Sequence, residues 1–263
     1  MSMALNPRQL AMLQAVREQG SLKTETLAEK FDTTLQTVRR DIQRLTDAGV
    51  LERFHGGVRA LDSSTRNTGH TERQRAHAEA KQGIARTVAA AIPAGASLFM
   101  NIGTTVEAVA KELLHHQDLH VVTNNLHVAS TMAANAQCEV VMAGGTVRHE
   151  DLGVVGEAAL SFIRQFKVDI GLIGISGIEA DGTLRDYDFR EVKVARAIIE
   201  QSREVWLAAD HSKFNRPAMV ELGSLRDVDI LFTDEAPPTA FADLLSSADV
   251  EYVVAHPNNK VQP

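Results

Sequence analysis

Arg39, Arg40 and Arg44 crowd into the stretch 34–47 together with Gln36, Thr37 and Gln43. These side chains suit a nucleic acid. Arginine pairs with guanine through two hydrogen bonds, glutamine with adenine, and a threonine methyl packs on thymine, while all of them can hold phosphate oxygens. At about 3.6 residues per turn, Leu35, Val38, Ile42 and Leu45 form an apolar stripe behind that front. Thr34 is placed to cap the first free N–H groups, and Gly49 to end the helix in a left-handed conformation. The expectation is a short helix with an apolar back and a front able to read a duplex.

Such a helix needs neighbours, because alone it is too short to be stable. Met12, Leu13 and Val16 recur at helical spacing and Gly20 stops that run. Thr24 can cap a second helix, with Glu25 near its positive end and Leu27, Ala28 and Phe31 on its apolar side. A polar turn, Asp32-Thr33, leads into the third helix, giving a helix-turn-helix. The run 50–54, the turn His55-Gly56-Gly57 and the run 58–61 read as a β-hairpin. A hairpin in that position is a wing, which would lay Arg53, His55 and Arg59 along the phosphate backbone, with Lys23 and Thr34 adding contacts from the helix starts.

Charge supports this division. Residues 1–60 carry nine Lys+Arg against seven Asp+Glu, whereas the 263-residue chain carries 27 against 34 and a net charge of −7. A slightly basic head on an acidic body fits a nucleic-acid module joined to something else. No apolar run approaches membrane-spanning length, the start lacks a signal-peptide core, and Cys138 is the single cysteine. A cytoplasmic protein without disulfides or membrane contact is expected, with Cys138 as a small buried hydrophobe.

Residues 62–80 read as a linker that turns helical near Glu72, the helix ending at Pro93 and Gly95. From Ser97 onward, apolar runs alternate with helical stretches. Strands are expected at 98–101, 120–123, 140–143, 168–175, 205–209, 229–233 and 252–255. Helices are expected at 105–115, 126–135, 157–166, 189–202 and 239–247. This pattern argues for a mainly parallel sheet covered on both faces, a doubly wound α/β domain over 81–255, followed by a polar tail at 256–263.

In such sheets ligands sit beyond the carboxyl ends of strands. Five of these strands end in small polar residues: Asn101-Ile102-Gly103-Thr104-Thr105, Thr123-Asn124-Asn125, Gly144-Gly145-Thr146-Val147-Arg148, Gly174-Ile175-Ser176-Gly177 and Asp210-His211-Ser212-Lys213. The free N–H groups and hydroxyls of Thr104 and Thr105 would make an anion pocket, with Lys213 and Arg148 as cations. Together these turns point to a small phosphorylated, polyhydroxy ligand. Walker, G-x-G-x-x-G, G-x-S-x-G and metal-spacing motifs are all absent from the sequence. His115-His116 reads as a helix-end dipole contact, and Asp186-Tyr187-Asp188 with Glu191 either as paired carboxylates for acid/base work or, the safer reading, as a solvated loop and helix start.

Thr37-Val38-Arg39-Arg40-Asp41-Ile42 and His55-Gly56-Gly57 resemble the DeoR family of bacterial sugar-metabolism repressors. The likeness continues through Ile102-Gly103-Thr104-Thr105, Thr123-Asn124-Asn125, Ala143-Gly144-Gly145 and Asp210-His211-Ser212-Lys213-Phe214, almost the whole chain. It implies a winged helix-turn-helix domain (1–61) and an effector domain similar in fold to ribose-5-phosphate isomerase and the CoA transferases. It further implies a homo-oligomeric repressor, a dimer or tetramer, that binds double-stranded operator DNA and uses no cofactor. The phosphate would sit on Gly103, Thr104 and Thr105 opposite Lys213, with Asn124, Asn125, Gly145 and Glu191 lining the rest. Details of motifs including Gly174-Ile175-Ser176-Gly177-Ile178 and Asp186-Tyr187-Asp188 imply glycerol and glycerol 3-phosphate metabolism as the regulated process and glycerol 3-phosphate as the releasing effector. Another phosphorylated sugar is the alternative. Asn101 stands where many relatives have Asp, so catalysis is not expected; Ala195 stands where they often have Lys, so that position is given no ligand role. A sugar-phosphate isomerase with an accessory DNA-binding domain would need Glu191 or Asp210 as its base.

Overall fold

The computed structural model describes residues 5–19, 21–48, 50–54, 56–60, 64 and 67–255, and divides into two units, residues 1–63 and 64–263. The N-terminal unit runs α1 (Pro7–Gln19), β1 (Ser21–Lys23), α2 (Thr24–Lys30), α3 (Leu35–Asp47), β2 (Leu51–Phe54) and β3 (Gly57–Ala60). β1 is an element the sequence reading missed. It pairs antiparallel with β3, and the three strands lie in the order β1-β3-β2. Met12, Val16, Leu27, Val38, Ile42, Leu45, Leu51 and Val58 form the buried core. Each such side chain contributes about 1.5–3 kcal/mol by leaving water.

Three expectations change here. Leu35 is 40% exposed, because the first turn of α3 projects past the core. The polar Asp41 shares the buried face with Val38, Ile42 and Leu45 instead. Its carboxylate accepts from Gln9 Nε2 at 2.8 Å and meets Arg8 Nη2 at 2.7 Å, both from α1. Thr24 does not cap α2. β1 runs extended as far as Lys23, which occupies the N-cap position, so Thr24 is already helical. Thr34 does cap α3, accepting from the Thr37 N–H at 3.2 Å. Gly20, Gly49 and His55 lie outside the described residues, as does the expected tail at 256–263.

The C-terminal unit opens with α4 (His70–Arg75) and α5 (Ala78–Ala91), then alternates: β4 (Ser97–Met100), α6 (Thr104–Glu112), β5 (Leu119–Thr123), α7 (Leu126–Met132) and β6 (Cys138–Met142). A short pair, β7 (Thr146–Val147) and β8 (Val154–Val155), precedes α8 (Glu157–Ile163), β9 (Val168–Ile173), β10 (Gly177–Ile178), β11 (Thr183–Asp186) and α9 (Phe189–Glu200). β12 (Ser202–Ala208), β13 (Val220–Ser224), β14 (Ile230–Thr233), α10 (Thr239–Ser247) and β15 (Glu251–Val254) complete it. Seven strands form one sheet in the order β15-β14-β12-β9-β4-β5-β6, every pairing parallel.

Chain order runs outward from β4 to β6 on one side and from β9 to β15 on the other. The reversal lies between β4 and β9, where doubly wound sheets hold their ligands. Alternate strand residues feed two cores. Leu98, Met100, Val121, Leu172 and Trp206 pack under α5, α6 and α7. Phe99, Val122, Ile173, Leu207 and Leu231 pack under α8, α9 and α10. The antiparallel pieces β7-β8 and β10-β11-β13 escaped the sequence reading; β7, β8 and β10 are two residues long, too short to carry periodicity. The span expected as a linker, 62–80, contains α4 and the first turn of α5. No helix among the described residues is long and apolar enough to cross a membrane.

Candidate functional site

The front of α3 carries Gln36, Arg39, Arg40, Gln43 and Arg44, all exposed, with Thr37 half-buried. The buried back of α3 holds this front outward, and the Asp41 contacts with Arg8 and Gln9 fix its rotation against α1. Arg8 and Gln9 also hold the Asp41 carboxyl below its usual range, the hydrogen bonds outweighing burial. Thr34 and Thr37 are joined through their hydroxyls at 2.9 Å. Lys23 and Arg53 are exposed at the neighbouring strand ends. Arg53 Nη2 donates to the Arg39 carbonyl of α3 at 3.1 Å, tying the hairpin to the helix. The Arg59 side chain and His55 lie outside what is described.

In the C-terminal unit the predicted turns do gather at the carboxyl end of the sheet. Gly103 adopts φ +149 at the start of α6, and a Cβ there would meet the Gly174 backbone at 3.8 Å, so the loops after β4 and β9 touch. Thr104 is half-buried and Thr105 buried, with no side-chain cap on the helix start. Asn101 is 1% exposed and its Oδ1 has no partner among the described residues. The Lys213 side chain is 13% exposed. Burial pulls its pKa down, although Asp210 lies 4.0 Å away. Lys81, from the expected linker region, is likewise buried and pushed down to about 8, its ammonium donating to the carbonyls of Arg73 and Ala76.

Other predicted ligand residues also make scaffold contacts, with Asn124 Oδ1 left without a partner among the described residues. Asn124 donates to the Val154 carbonyl at 3.1 Å, and Asn125 caps α7 by accepting from the His127 N–H at 2.9 Å. Gly145, at φ +152, brings the chain so close to β8 that a Cβ would stand 2.8 Å from the Val155 carbonyl. His115 and His116 lie beyond the end of α6, and His116 Nε2 contacts the Ile92 carbonyl at 2.9 Å, a tertiary contact in place of a dipole effect. Cys138 is half-buried.

The largest revision concerns Arg148. It is expected from sequence to present a cation to the ligand. Instead its guanidinium is enclosed by carboxylates: Asp151 within hydrogen-bond contact, Asp188 at 3.1 Å and Glu191 at 2.8 Å. Asp186 and Glu191 are 7% and 8% exposed, so the expected solvated loop is a buried charge cluster. Burial and the like charge of Asp186 push the Glu191 pKa up to about 8, against the pull of Arg148, since carboxylates outnumber the cations here. Burial likewise raises Asp186. Asp188, although burial opposes it, is drawn down to about 2 by its bonds with Arg190 and by Arg148.

Beside this cluster lies a cavity of about 560 Å³, walled by residues including Asn67, His70, Arg73, Arg148, Tyr187 and Glu191. Of the predicted ligand residues, Arg148 and Glu191 line it, while the Gly103–Thr105 turn does not. Sequence reading passed over Arg73 and His70. The one available signal was the charged run Glu72–Arg75 inside an expected linker.

Comparison with known proteins agrees with the two-unit division. Residues 8–64 match a DeoR-like helix-turn-helix domain, and residues 76–235 a DeoR C terminal sensor domain. The chain is 46% identical over 244 residues to the glycerol-3-phosphate regulon repressor of Escherichia coli, covering 93% of this chain and 96% of that one. Identity to the protein of the same name from Haemophilus influenzae is 48%, over 88% and 89% of the two chains. The HTH-type transcriptional repressor CsqR of E. coli is 39% identical over 95% of each. Among solved structures, the Pyrococcus horikoshii translation initiation factor eIF-2B superimposes with a TM-score of 0.46 at 15% identity over 86% of this chain and 95% of that one. Ribose 5-phosphate isomerase from Plasmodium falciparum gives 0.38 at 11% over 51% and 52%. The matched domains and the full-length relatives together establish that the chain belongs to the DeoR family of transcriptional regulators.

Proposed function

We propose that this protein represses genes of glycerol and glycerol 3-phosphate metabolism by gripping operator duplex with α3, and lets go when glycerol 3-phosphate binds the C-terminal unit. The observation that carries the reading is the exposed Arg39, Arg40, Arg44 and Gln36 front of α3, in a chain 46–48% identical to glycerol-3-phosphate regulon repressors. One recognition helix per subunit calls for at least a dimer on paired half-sites. The phosphate is assigned to the start of α6 at Gly103, Thr104 and Thr105, where free N–H groups favour an anion, with Lys213 as its countercharge. The unpartnered Asn101 Oδ1 is available to a ligand hydroxyl.

A binding role is preferred to catalysis because each candidate base already has a partner within the unit, although Asp210 Oδ2 accepts no hydrogen bond among the described residues. Glu191 is held by Arg148 at 2.8 Å. Asp210 is fully buried, and the Ser212 N–H donates to it at 3.0 Å. Release requires that the ligand bind one conformational state better than another, and a coupling of about 1–3 kcal/mol would change operator affinity roughly 5- to 150-fold.

Fluorescence anisotropy on the promoter of its own gene neighbourhood, repeated with a panel of small phosphates, tests the reading. Glycerol 3-phosphate should weaken binding, and Lys213→Ala should bind duplex but no longer release it. If another phosphosugar releases the duplex and glycerol 3-phosphate does not, the effector is wrong. A Lys213→Ala protein that still responds fully overturns the phosphate assignment.

A further inference from the structure

Three elements of the C-terminal unit bring two imidazoles and a carboxylate together. His70 from α4, Glu107 from α6 and His127 from α7 place one ligand atom each within 4.8 Å of one another. His70 Nε2 stands 2.9 Å and 3.1 Å from the two Glu107 oxygens. The His70 and His127 rings are parallel, 5° apart in orientation with centroids at 4.6 Å. Glu107 is 4% exposed, and each of its oxygens receives a side-chain amide: Gln74 Nε2 at 3.0 Å and Asn125 Nδ2 at 3.4 Å.

Two histidines and one carboxylate are a known ligand set for zinc, leaving a fourth position for water. Two ligands roughly 2.0–2.1 Å from a tetrahedral ion stand about 3.3–3.4 Å apart, so the 2.9–3.1 Å between His70 Nε2 and the Glu107 oxygens needs only a small opening to admit one. The amides on Glu107 are the outer contacts that orient a ligating carboxylate. A second group, His77, Asp210 and His211, offers the same ligand types, but the Lys213 ammonium lies 4.0 Å from Asp210 and opposes a cation there. We propose that His70, Glu107 and His127 bind one divalent transition-metal ion, zinc being the best fit, and thereby clasp α4 to α6 and α7. On binding, metal–nitrogen and metal–oxygen bonds replace the hydrogen bond between His70 and Glu107; neutral His70 offers its Nε2 lone pair in the tautomer that keeps its single proton on Nδ1, so no net proton is released. His127 turns its ring about the Cβ–Cγ bond to join them. No oxidation state changes.

The test uses the full-length protein, stripped with EDTA and titrated calorimetrically with Zn²⁺ and spectroscopically with Co²⁺. One ion should bind per chain, and Co²⁺ should show the visible absorption of a low-coordinate site. His70→Gln and His127→Gln should each weaken Zn²⁺ binding by at least about 100-fold, because removing a ligand costs more than removing an outer contact. The double variant His77→Gln/His211→Gln should bind as the parent does. Zn²⁺ should raise the melting temperature of the parent but not of His127→Gln, a half-exposed position whose replacement leaves the fold in place. Absence of stoichiometric binding, unchanged affinity in both single variants, or loss of binding in the His77/His211 variant would each overturn the site.

Discussion

Arginine does opposite work in the two units. On α3, Arg39, Arg40 and Arg44 face solvent from a helix whose other side is filled by Val38, Ile42 and Leu45. At the cavity of the C-terminal unit, Arg148 is 9% exposed and surrounded by Asp151, Asp188 and Glu191. An exposed guanidinium keeps its charge available to a phosphate and costs the fold little. A buried one must be matched by fixed carboxylates, and then serves to hold segments together. The same residue type therefore stands open to solvent in one place and forms a structural joint in the other. Burial and partners, more than identity, separate the two.

The contrast is easiest to break at Arg148. Arg148→Ala leaves several buried carboxylates without their cation and should destabilise the C-terminal unit by about 3–5 kcal/mol, read as a lowered thermal midpoint. A loss below about 0.5 kcal/mol, the range of ordinary surface changes, would mean the cluster is not a joint.

Glu191 sharpens the same point through pH. Its folded pKa of about 8 stands above its ordinary 4.5, so the folded unit keeps a proton that the unfolded chain releases. Stability from this group is full below pH 4.5 and fades as pH rises through 8. Glu191→Gln is neutral throughout and should flatten that decline, with melting temperatures at pH 5 and 8 as the readout. A parent protein equally stable at both would contradict the buried-cluster account.

Arg40→Ala should do the reverse of Arg148→Ala. It should weaken operator binding by about 1–3 kcal/mol while moving stability by no more than about 0.5 kcal/mol. A folded variant with parental affinity would remove α3 as the reading face. Arg53→Ala is the mildest change, because this side chain shares its bonding with the Arg39 carbonyl. It should reduce the salt slope of binding by about one and weaken all duplex sequences alike. A selective loss for one sequence would make Arg53 a base contact.

Local signals carried the reading of α3 and of the parallel sheet. Thr34 caps its helix with its own neighbour Thr37, Val38, Ile42 and Leu45 repeat at helical spacing, and apolar runs such as Val121–Val122 lie inside one strand. Periodicity and capping act over a few residues, so a one-dimensional sequence contains them. Asp41 was also open to reading in principle, being a carboxylate on an otherwise apolar stripe, yet its partners sit more than thirty positions earlier.

What the chain determined unaided was thus the longer helices and the strands of the parallel sheet, and that the apolar back of α3 leaves its arginines outside. Only the tertiary structure decided what surrounds a polar group. It set Glu191 against Arg148, turned Asn124, Asn125 and Gly145 into supports for β8 and α7, and drew His70 onto Glu107 across 37 positions. The physical reason is that ionisation and ligand affinity depend on the local dielectric and on neighbouring charge, and both are supplied by residues far away along the chain.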